Sequence, residues 1–268
     1  MPAASSAPAV SSIAAIATLE ERTACLKSKI APNARKLFYN GRNKELEIAK
    51  VTRSAPAGIP PKVILCAGVK SSGSTWLFNV VVAILKLRYR TGVVAFYADN
   101  FAMMPPNTER ARFLVIKSHE PSKALVYLMR LTRGALFVTL REPRDLIASL
   151  RERFGHSFEG ALTETERQSV RTVELVDQET AHPFRYENGF TENVASIDRI
   201  AKILGLRLSR SERDRIWGSL TRDQVTKKIG LLAKTGKFGA KPNADSFDVT
   251  TQWHPGHVGD GKIGKFSG

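Results

Sequence analysis

Two kinds of pattern alternate along much of this chain: short, nearly continuous apolar runs and longer segments with helical spacing. The short runs cover residues 63–67, 93–97, 113–116 and 135–140. They are rich in Val, Ile, Leu and Phe, and such runs are typical of strands in a sheet that is covered on both faces. We therefore predict four buried strands.

Helical spacing occupies the segments between these strands. It covers residues 75–88, 122–131 and 143–154. Pro143 suits the first turn of the third helix, because proline lacks only an N–H that has no helical partner there. Strands that alternate with helices predict a parallel sheet. The fold class is therefore α/β, a parallel β-sheet flanked by helices in three α/β/α layers.

The second half of the chain has a different pattern. After Arg153 no strong strand run appears, so the sequence predicts no further strand. Helical spacing instead predicts helices over 163–180, 191–204 and 209–232.

The N-terminal region differs in composition from the rest. Residues 1–19 are mostly Ala, Ser and Pro, which bury too little surface to offset chain entropy, and a Pro- and Gly-rich stretch follows at 54–61. We predict a flexible, low-complexity arm with a short helical lead-in over 1–56 and a single domain over 57–268. The first segment is also too polar to cross a bilayer and lacks the basic start of a signal peptide, so we expect a soluble, cytoplasmic protein.

Charge and cysteine content limit the classes of protein that fit this sequence. The 41 Lys and Arg residues against 25 Asp and Glu give a net charge of +16, while 43% hydrophobic residues suit a globular core. Between residues 199 and 241 we count 12 basic residues and three acidic ones, a surface that is either a set of solvated helix faces or a polyanion-binding face. Cys25 and Cys66 lie far apart without metal-ligand spacing, which argues against a disulfide scaffold and a zinc site.

A candidate phosphate loop follows the first predicted strand. Gly68 and Gly73 have the G-x-x-x-x-G spacing, and a helix begins directly afterwards. Small residues let backbone N–H groups surround a phosphate, and the helix N-terminus adds partial positive charge. Ser74 stands where nucleoside-triphosphate loops have lysine, so we expect a phosphate site that is not built for ATP. The alternative is a serine-rich turn.

Candidate catalytic residues follow the third strand. Lys117 and His119 lie two residues apart where that strand ends, at the edge where open α/β sheets place their ligands. The same side of an extended segment would carry both, so a base and a cation can converge. A single loop histidine also occurs commonly as a surface or structural residue.

A second phosphate pocket is predicted after the fourth strand. Arg141 offers planar donors, and Ser149, one or two turns into the next helix, would add a hydroxyl to the same anion. Arg144 has acidic neighbours and is expected to pair locally. Trp76, in the first turn of the helix after the loop, would either stack on a purine or pack in the core.

Three motifs together resemble the sulfotransferase family, which uses 3′-phosphoadenosine 5′-phosphosulfate (PAPS). They are Lys-Ser-Ser-Gly-Ser-Thr-Trp at 70–76, Ile-Lys-Ser-His-Glu-Pro at 116–121 and Arg-Glu-Pro-Arg-Asp-Leu-Ile-Ala-Ser at 141–149. Arg-Tyr-Glu at 185–187 and the glycine-rich segment 256–262 resemble further steps of the family's pattern. The resemblance implies a P-loop-like sulfotransferase fold, PAPS as co-substrate, no metal and a hydroxyl or amine acceptor.

The resemblance also assigns roles to single residues. It implies that His119 is the general base, with Lys70 and Lys117 neutralising charge on the transferred group. It implies donor binding by Lys70, Ser71, Ser72, Gly73, Ser74, Thr75, Trp76, Arg141, Ser149, Tyr186, Gly256, His257, Gly259 and Lys262. One position departs from the pattern, because the family's loop lysine falls on Ser71 and Lys70 stands one residue early.

Other functions are compatible with parts of the sequence. A P-loop kinase or nucleotide hydrolase fits the loop spacing but lacks the lysine, and a basic nucleic-acid-binding protein fits the 199–241 stretch alone. A Ser/His hydrolase fits poorly because no G-x-S-x-G motif occurs, and the His254 and His257 pair lacks a third zinc ligand. Within the sulfotransferase interpretation, carbohydrate, lipid-linked glycan and small alcohol or phenol acceptors all stay open.

Overall fold

The computed structural model describes residues 61–106, 108–236, 238 and 247–267. The arm and helical lead-in predicted for 1–56 lie outside these residues, as does the domain boundary at 57, and both stay predictions. All statements about the structure below concern the described residues.

The described chain contains one parallel sheet of five strands in the order β2-β3-β1-β4-β5. The strands are β1 (Lys62–Gly68), β2 (Val93–Tyr97), β3 (Phe113–Ser118), β4 (Ala135–Leu140) and β5 (Ala181–Arg185). The first four confirm the predicted strands, and the predicted parallel α/β class is confirmed with them. Because β1 lies between β3 and β4, the segments that follow these three strands meet at one edge of the sheet.

Seven α-helices surround this sheet within the described part of the chain. They are α1 (Ser74–Tyr89), α2 (Lys123–Leu131), α3 (Pro143–Phe154), α4 (Phe158–Val176), α5 (Ala195–Ile203), α6 (Arg210–Ser219) and α7 (Arg222–Lys234). The first three agree with the predicted helices to within one residue at each end. Ser122 caps α2 by accepting a hydrogen bond from the Leu125 N–H, which explains why that helix begins where it does.

The hydrophobic core has two halves, one on each face of the sheet. Along β1, Ile64 and Cys66 face the half that contains α1, whereas Val63 and Leu65 face the half that contains α2. This alternation follows from the two-residue period of a strand. Both faces are covered, which is why the strands are nearly continuously apolar.

The absence of a strand after Arg153 was a wrong prediction, because β5 forms there. Its sequence is Ala-His-Pro-Phe-Arg, and only Phe184 is buried. The strand pairs with β4 alone and lies at the sheet edge, where Pro183 is tolerated because no neighbour needs its missing N–H. An edge strand of mixed polarity carries no apolar run for a pattern to detect.

The later helices also differ from their predicted bounds. The predicted helix over 209–232 is two helices, because Thr221 caps α7 by accepting from the Gln224 N–H. The helix predicted over 163–180 begins five residues earlier, after its cap Ser157, and the one predicted over 191–204 begins at Ala195. At Ser157 and Thr221 a hydroxyl side chain that bonds to a backbone N–H sets where the helix begins, whereas α5 begins after Val194 without a side-chain cap.

Candidate functional site

A cavity of about 770 Å³ opens at the carboxyl ends of β1, β3 and β4. The structure brings most of the predicted site residues to its wall. They are Lys70, Ser71, Gly73, Ser74, Thr75, Trp76, Lys117, His119, Arg141, Ser149, Tyr186, His257 and Gly259. Ser72, Gly256 and Lys262 do not line it.

The glycine-rich loop leads directly into α1. Gly73 has a φ of 84°, in the left-handed region that favours glycine, and a Cβ there would lie 2.8 Å from Phe190 Cζ. In the described structure no side chain caps α1 and its first turn has no acidic residue. Its first N–H groups therefore suit an anion in the cavity.

Ser72 braces the loop instead of facing the cavity. Its side chain is fully buried; its hydroxyl donates to the Val69 carbonyl at 2.5 Å and lies 2.6 Å from Thr139 Oγ1 of β4. Its backbone N–H also donates to Val69. The contacts place Ser72 between the loop and the sheet.

Lys70 lies at the cavity rim, held by α4. Its Nζ is 2.6 Å from Glu164 Oε1, and its backbone N–H donates to Gln168 Oε1 at 2.8 Å. The side chain is 42% exposed. In this arrangement the charge of Lys70 is directed toward a carboxylate.

His119 is held in one tautomer. Its Nδ1 lies 2.6 Å from the Gly68 carbonyl oxygen, which can only accept, so Nδ1 carries the proton and Nε2 keeps its lone pair. Asp99 Oδ1 fixes the backbone by accepting from the His119 N–H at 3.0 Å. The Nε2 atom is 3.4 Å from Lys117 Nζ. The predicted base and cation are thus adjacent.

Burial and mutual repulsion set the charge states of this pair. Burial, and then the charge of Lys117, lowers the pKa of His119 to about 3. Burial, and then the charge of Lys70, lowers the pKa of Lys117 to about 8. At neutral pH His119 is uncharged while Lys117 is mostly protonated. The site therefore offers a proton acceptor beside a positive charge.

Arg141 lies between the phosphate loop and Lys262, with its side chain 4% exposed. It donates to the Ser71 carbonyl at 2.9 Å and to the Lys262 carbonyl at 2.8 Å, and its guanidinium lies 4.3 Å from the centre of the Tyr186 ring. Its closest recorded carboxylate, Asp145, is 3.9 Å away. A buried guanidinium with so distant a counter-charge suits an anionic ligand. By contrast, Arg144 pairs with Glu142 at 2.7 Å, which confirms its predicted local pairing.

Arg153 is a cavity residue that the sequence analysis missed. It lies on α3 four residues after Ser149, and residues four apart share a helix face. Its guanidinium donates to the Gly256 and His257 carbonyls and, at 3.1 Å, to Ser71 Oγ. The helical period from Ser149 is the signal that would have found it.

Residues 247–267 form the far side of the cavity, and we call them the C-terminal segment. Side chains from the rest of the domain hold its main chain: Asn79 donates to the Thr251 carbonyl and Asp145 accepts from the Gly264 N–H, each at 2.8 Å. Predicted donor residues Gly256 and Lys262 contact the site only through their carbonyls, which accept from Arg153 and Arg141.

An aromatic wall closes one end of the cavity. The Trp76 ring is 5.7 Å from Phe190 and 6.4 Å from Trp217, both edge-to-face. Trp76 and Trp217 also line the cavity. Trp76 therefore packs against the core and also faces the cavity, while its stacking on a purine stays a prediction.

Two further observations concern the described residues as a set. They include no group of three or more His, Cys, Asp or Glu side chains placed to hold a metal ion. None of their helices combines the length and apolar character that crossing a bilayer requires.

Comparison with solved structures identifies the fold. Mouse sulfotransferase SULT7A1, complexed with PAP, matches with a TM-score of 0.54 at 13% identity, over 84% of this chain and 82% of that chain. This chain has the sulfotransferase fold. Retinol dehydratase in complex with retinol and PAP matches this chain with a TM-score of 0.51 at 15% identity, over 84% and 80% of the two chains. No protein-family model matches the sequence, and no curated protein matches it either.

Proposed function

We propose that this protein transfers a sulfuryl group from PAPS to a hydroxyl or amine acceptor, with His119 as general base. The observation that carries the proposal is the fixed tautomer of His119, whose Nε2 lone pair lies 3.4 Å from Lys117 Nζ beside the phosphate loop. The neighbours of the same fold were solved with PAP, the product that PAPS leaves, which supports the choice of donor.

Donor binding follows from the two ends of the cavity. The adenine ring would contact Trp76, and the N-terminus of α1 would receive the 5′-phosphosulfate through Ser74, Thr75 and backbone N–H groups. Arg141 and Ser149 would bind the 3′-phosphate. This phosphate would place an anion beside Arg141, whose nearest carboxylate, Asp145, is 3.9 Å away and whose buried Nε has no hydrogen-bond partner among the described residues.

The transfer step needs one proton acceptor and one cation at the reacting end. The acceptor oxygen attacks sulfur in line, the bond between sulfur and the 5′-phosphate oxygen breaks, and His119 Nε2 takes the acceptor proton. Lys117 stabilises charge on the sulfuryl oxygens and the departing phosphate. The products are the sulfate ester, PAP and a proton that His119 returns to solvent. General-base catalysis of this kind contributes about 10²–10⁴-fold.

The acceptor must bring its hydroxyl to His119. The Tyr97 ring lies 5.7 Å from the His119 ring, and Phe154 and His156 line the same cavity, so its wall offers both aromatic surface and polar atoms. A neighbour of the same fold, retinol dehydratase, was solved with retinol and also with androsterone, the second match having a TM-score of 0.50 at 16% identity. We propose a small hydroxylated molecule or a glycan as the acceptor class.

Turnover of PAPS by a His119→Ala variant tests the proposal. We expect PAP affinity to stay within about threefold, while transfer to an acceptor identified by screening falls by about 10²–10⁴. His182→Ala is the matched control, because His182 lies on β5 outside the cavity wall. Full turnover by His119→Ala would refute the assigned base, and a wild-type protein that never consumes PAPS with any acceptor would refute the function.

A further inference from the structure

The loop position directly before Ser72 has no cation of its own. It is occupied by Ser71, and the side chain of the preceding Lys70 points to Glu164 at 2.6 Å. A bound phosphosulfate would therefore find a hydroxyl at this point of the loop. Any positive charge here must come from another part of the domain.

Arg153 brings that charge from α3. Its Nη1 donates to Ser71 Oγ at 3.1 Å, while its Nε and Nη2 groups hold the carbonyls of Gly256 and His257. These contacts fix the plane of the guanidinium without neutralising it. Among the described residues Arg153 has no ion-pair partner, whereas Lys70, Arg144 and Lys265 all have one.

The hydrogen-bond count leaves capacity for a ligand. A guanidinium has five N–H donors, and the four recorded contacts leave one N–H on Nη1. Because the Ser71 hydroxyl accepts from Arg153, its own proton is available to an anion. Together the two side chains present one N–H and one O–H at the phosphate loop.

Two of the arginines that line the cavity, Arg141 and Arg153, contact different sides of the same residue. Arg141 donates to the Ser71 carbonyl and lies on Tyr186, whereas Arg153 donates to the Ser71 hydroxyl and holds the main chain of His257. His257 lines the same cavity as Lys117 and His119, and Arg153 reaches this cavity at Ser71, the residue after Lys70. This arrangement separates a nucleotide-side arginine from a transfer-side arginine.

We propose that Arg153 and Ser71 form the binding site for the 5′-phosphosulfate end of the donor, in place of a loop lysine. This inference rests on the proposed function and deepens it. Arg153 binds the 5′-group, and Arg141 binds the 3′-phosphate. Two arginines then share the specificity of the site for a doubly phosphorylated adenosine. Arg153 lies on α3, and Arg141 lies between β4 and that helix.

Calorimetric titration with three nucleotides tests this division. PAP carries both phosphates, and adenosine 5′-phosphate and adenosine 3′-phosphate carry one each. For Arg153→Gln we expect roughly 10- to 100-fold weaker binding of PAP and of adenosine 5′-phosphate. The Kd of adenosine 3′-phosphate should change by less than about threefold. For Arg141→Gln we expect the reverse preference. Arg151→Gln is the matched control, since Arg151 lies on the same helix with an exposed side chain.

Each alternative outcome has a distinct pattern. If Arg153→Gln weakens all three nucleotides equally, Arg153 only latches the C-terminal segment, and the proposal is wrong. Unchanged binding of the 5′-phosphate also refutes it. If the glutamine variant does not fold, Arg153→Lys replaces it, because lysine keeps the charge. This variant must lose affinity for PAP and adenosine 5′-phosphate more than for adenosine 3′-phosphate, by a smaller factor. A wild-type protein that binds none of the three nucleotides overturns the proposed function itself, along with this inference.

Discussion

The two walls of the cavity are built by different physical means. One wall consists of the segments that follow β1, β3 and β4, and its residues continue directly from strands packed in both halves of the core. The other wall is the C-terminal segment, which has no strand among the described residues and one short 3₁₀ turn near its end. Side chains from elsewhere in the domain hold its main chain, including Asn79, Asp145 and Arg153.

The two walls therefore contribute different groups to the site. The sheet wall carries His119 and Lys117, which the proposed function makes the base and the cation. The C-terminal segment contributes carbonyls that accept from Arg141 and Arg153, so under the same proposal it would control how tightly the donor is held. We therefore expect substitutions in the sheet wall to lower turnover, with a further effect on affinity where a charge is lost, and substitutions that loosen the segment to lower affinity alone.

After His119→Ala, the largest effect is expected for Lys117→Met. Turnover should fall about 10²–10³-fold, the usual cost of losing one group that stabilises transition-state charge. The free energy of unfolding should rise by up to about 3 kcal/mol at pH 7, because burial lowers the pKa of Lys117 from 10.5 to about 8 and a neutral side chain avoids that cost.

Steady-state kinetics and chemical denaturation measure the two effects together. Lys123→Met is the control, since Lys123 is exposed at the start of α2. Loss of turnover together with loss of stability would mean that Lys117 is a structural residue, against this account.

The pH dependence of donor binding should be the next largest effect. As pH rises through about 8, Lys117 in the free protein loses its proton, so PAP affinity should fall by up to about tenfold per pH unit. His119 does not contribute, because its pKa of about 3 keeps it neutral throughout this range. Calorimetry between pH 7 and 9.5 measures the slope. A slope that persists in Lys117→Met would assign the effect to another group.

A smaller effect on the other wall is expected for Asp145→Ala. The fully buried carboxylate accepts from the Gly264 N–H and lies 3.9 Å from Arg141, so its loss should loosen the end of the C-terminal segment. We expect about tenfold weaker PAP binding with turnover at saturation within about threefold, and faster hydrogen exchange near Gly264. Asp223→Ala, in the exposed first turn of α7, is the control. A large fall in turnover at saturation would contradict the division between the walls.

The smallest functional effect is expected for Ser72→Ala. Its hydroxyl bonds to Val69 and Thr139 inside the fold, so its loss should lower the free energy of unfolding by about 1–2 kcal/mol, because Thr139 Oγ1 loses this partner and the Val69 carbonyl keeps only the Ser72 N–H. PAP affinity should stay within about threefold. Thermal unfolding and calorimetry are sufficient to test it, and a tenfold loss of affinity would return Ser72 to the donor-binding residues.

The sequence predicted the sheet wall because buried strands leave apolar runs and because strand order places their ends together. The predicted strands at 63–67 and 113–116, with Lys117 and His119 following, needed only local pattern and sheet geometry. The same signals predicted the parallel α/β fold, which the structure confirms.

The rest could not be predicted because its contacts join residues far apart in the chain. Arg153 reaches Gly256 across 103 positions, and Arg141 reaches Lys262 across 121. Strand β5 lies at the sheet edge with a single buried side chain, so it leaves no apolar run. Irregular segments that depend on such bonds carry no period that a sequence can display.

The most direct test of the central claim is a thermal-shift titration of the wild-type protein with PAP, run beside ADP and Mg·ATP. A ligand that binds only the folded state raises the melting temperature. At 100 times its Kd it adds about 2.7 kcal/mol to the free energy of unfolding. This account predicts that PAP stabilises the protein at concentrations where ADP and Mg·ATP do not. Stabilisation by Mg·ATP alone, or by none of the three, would contradict it.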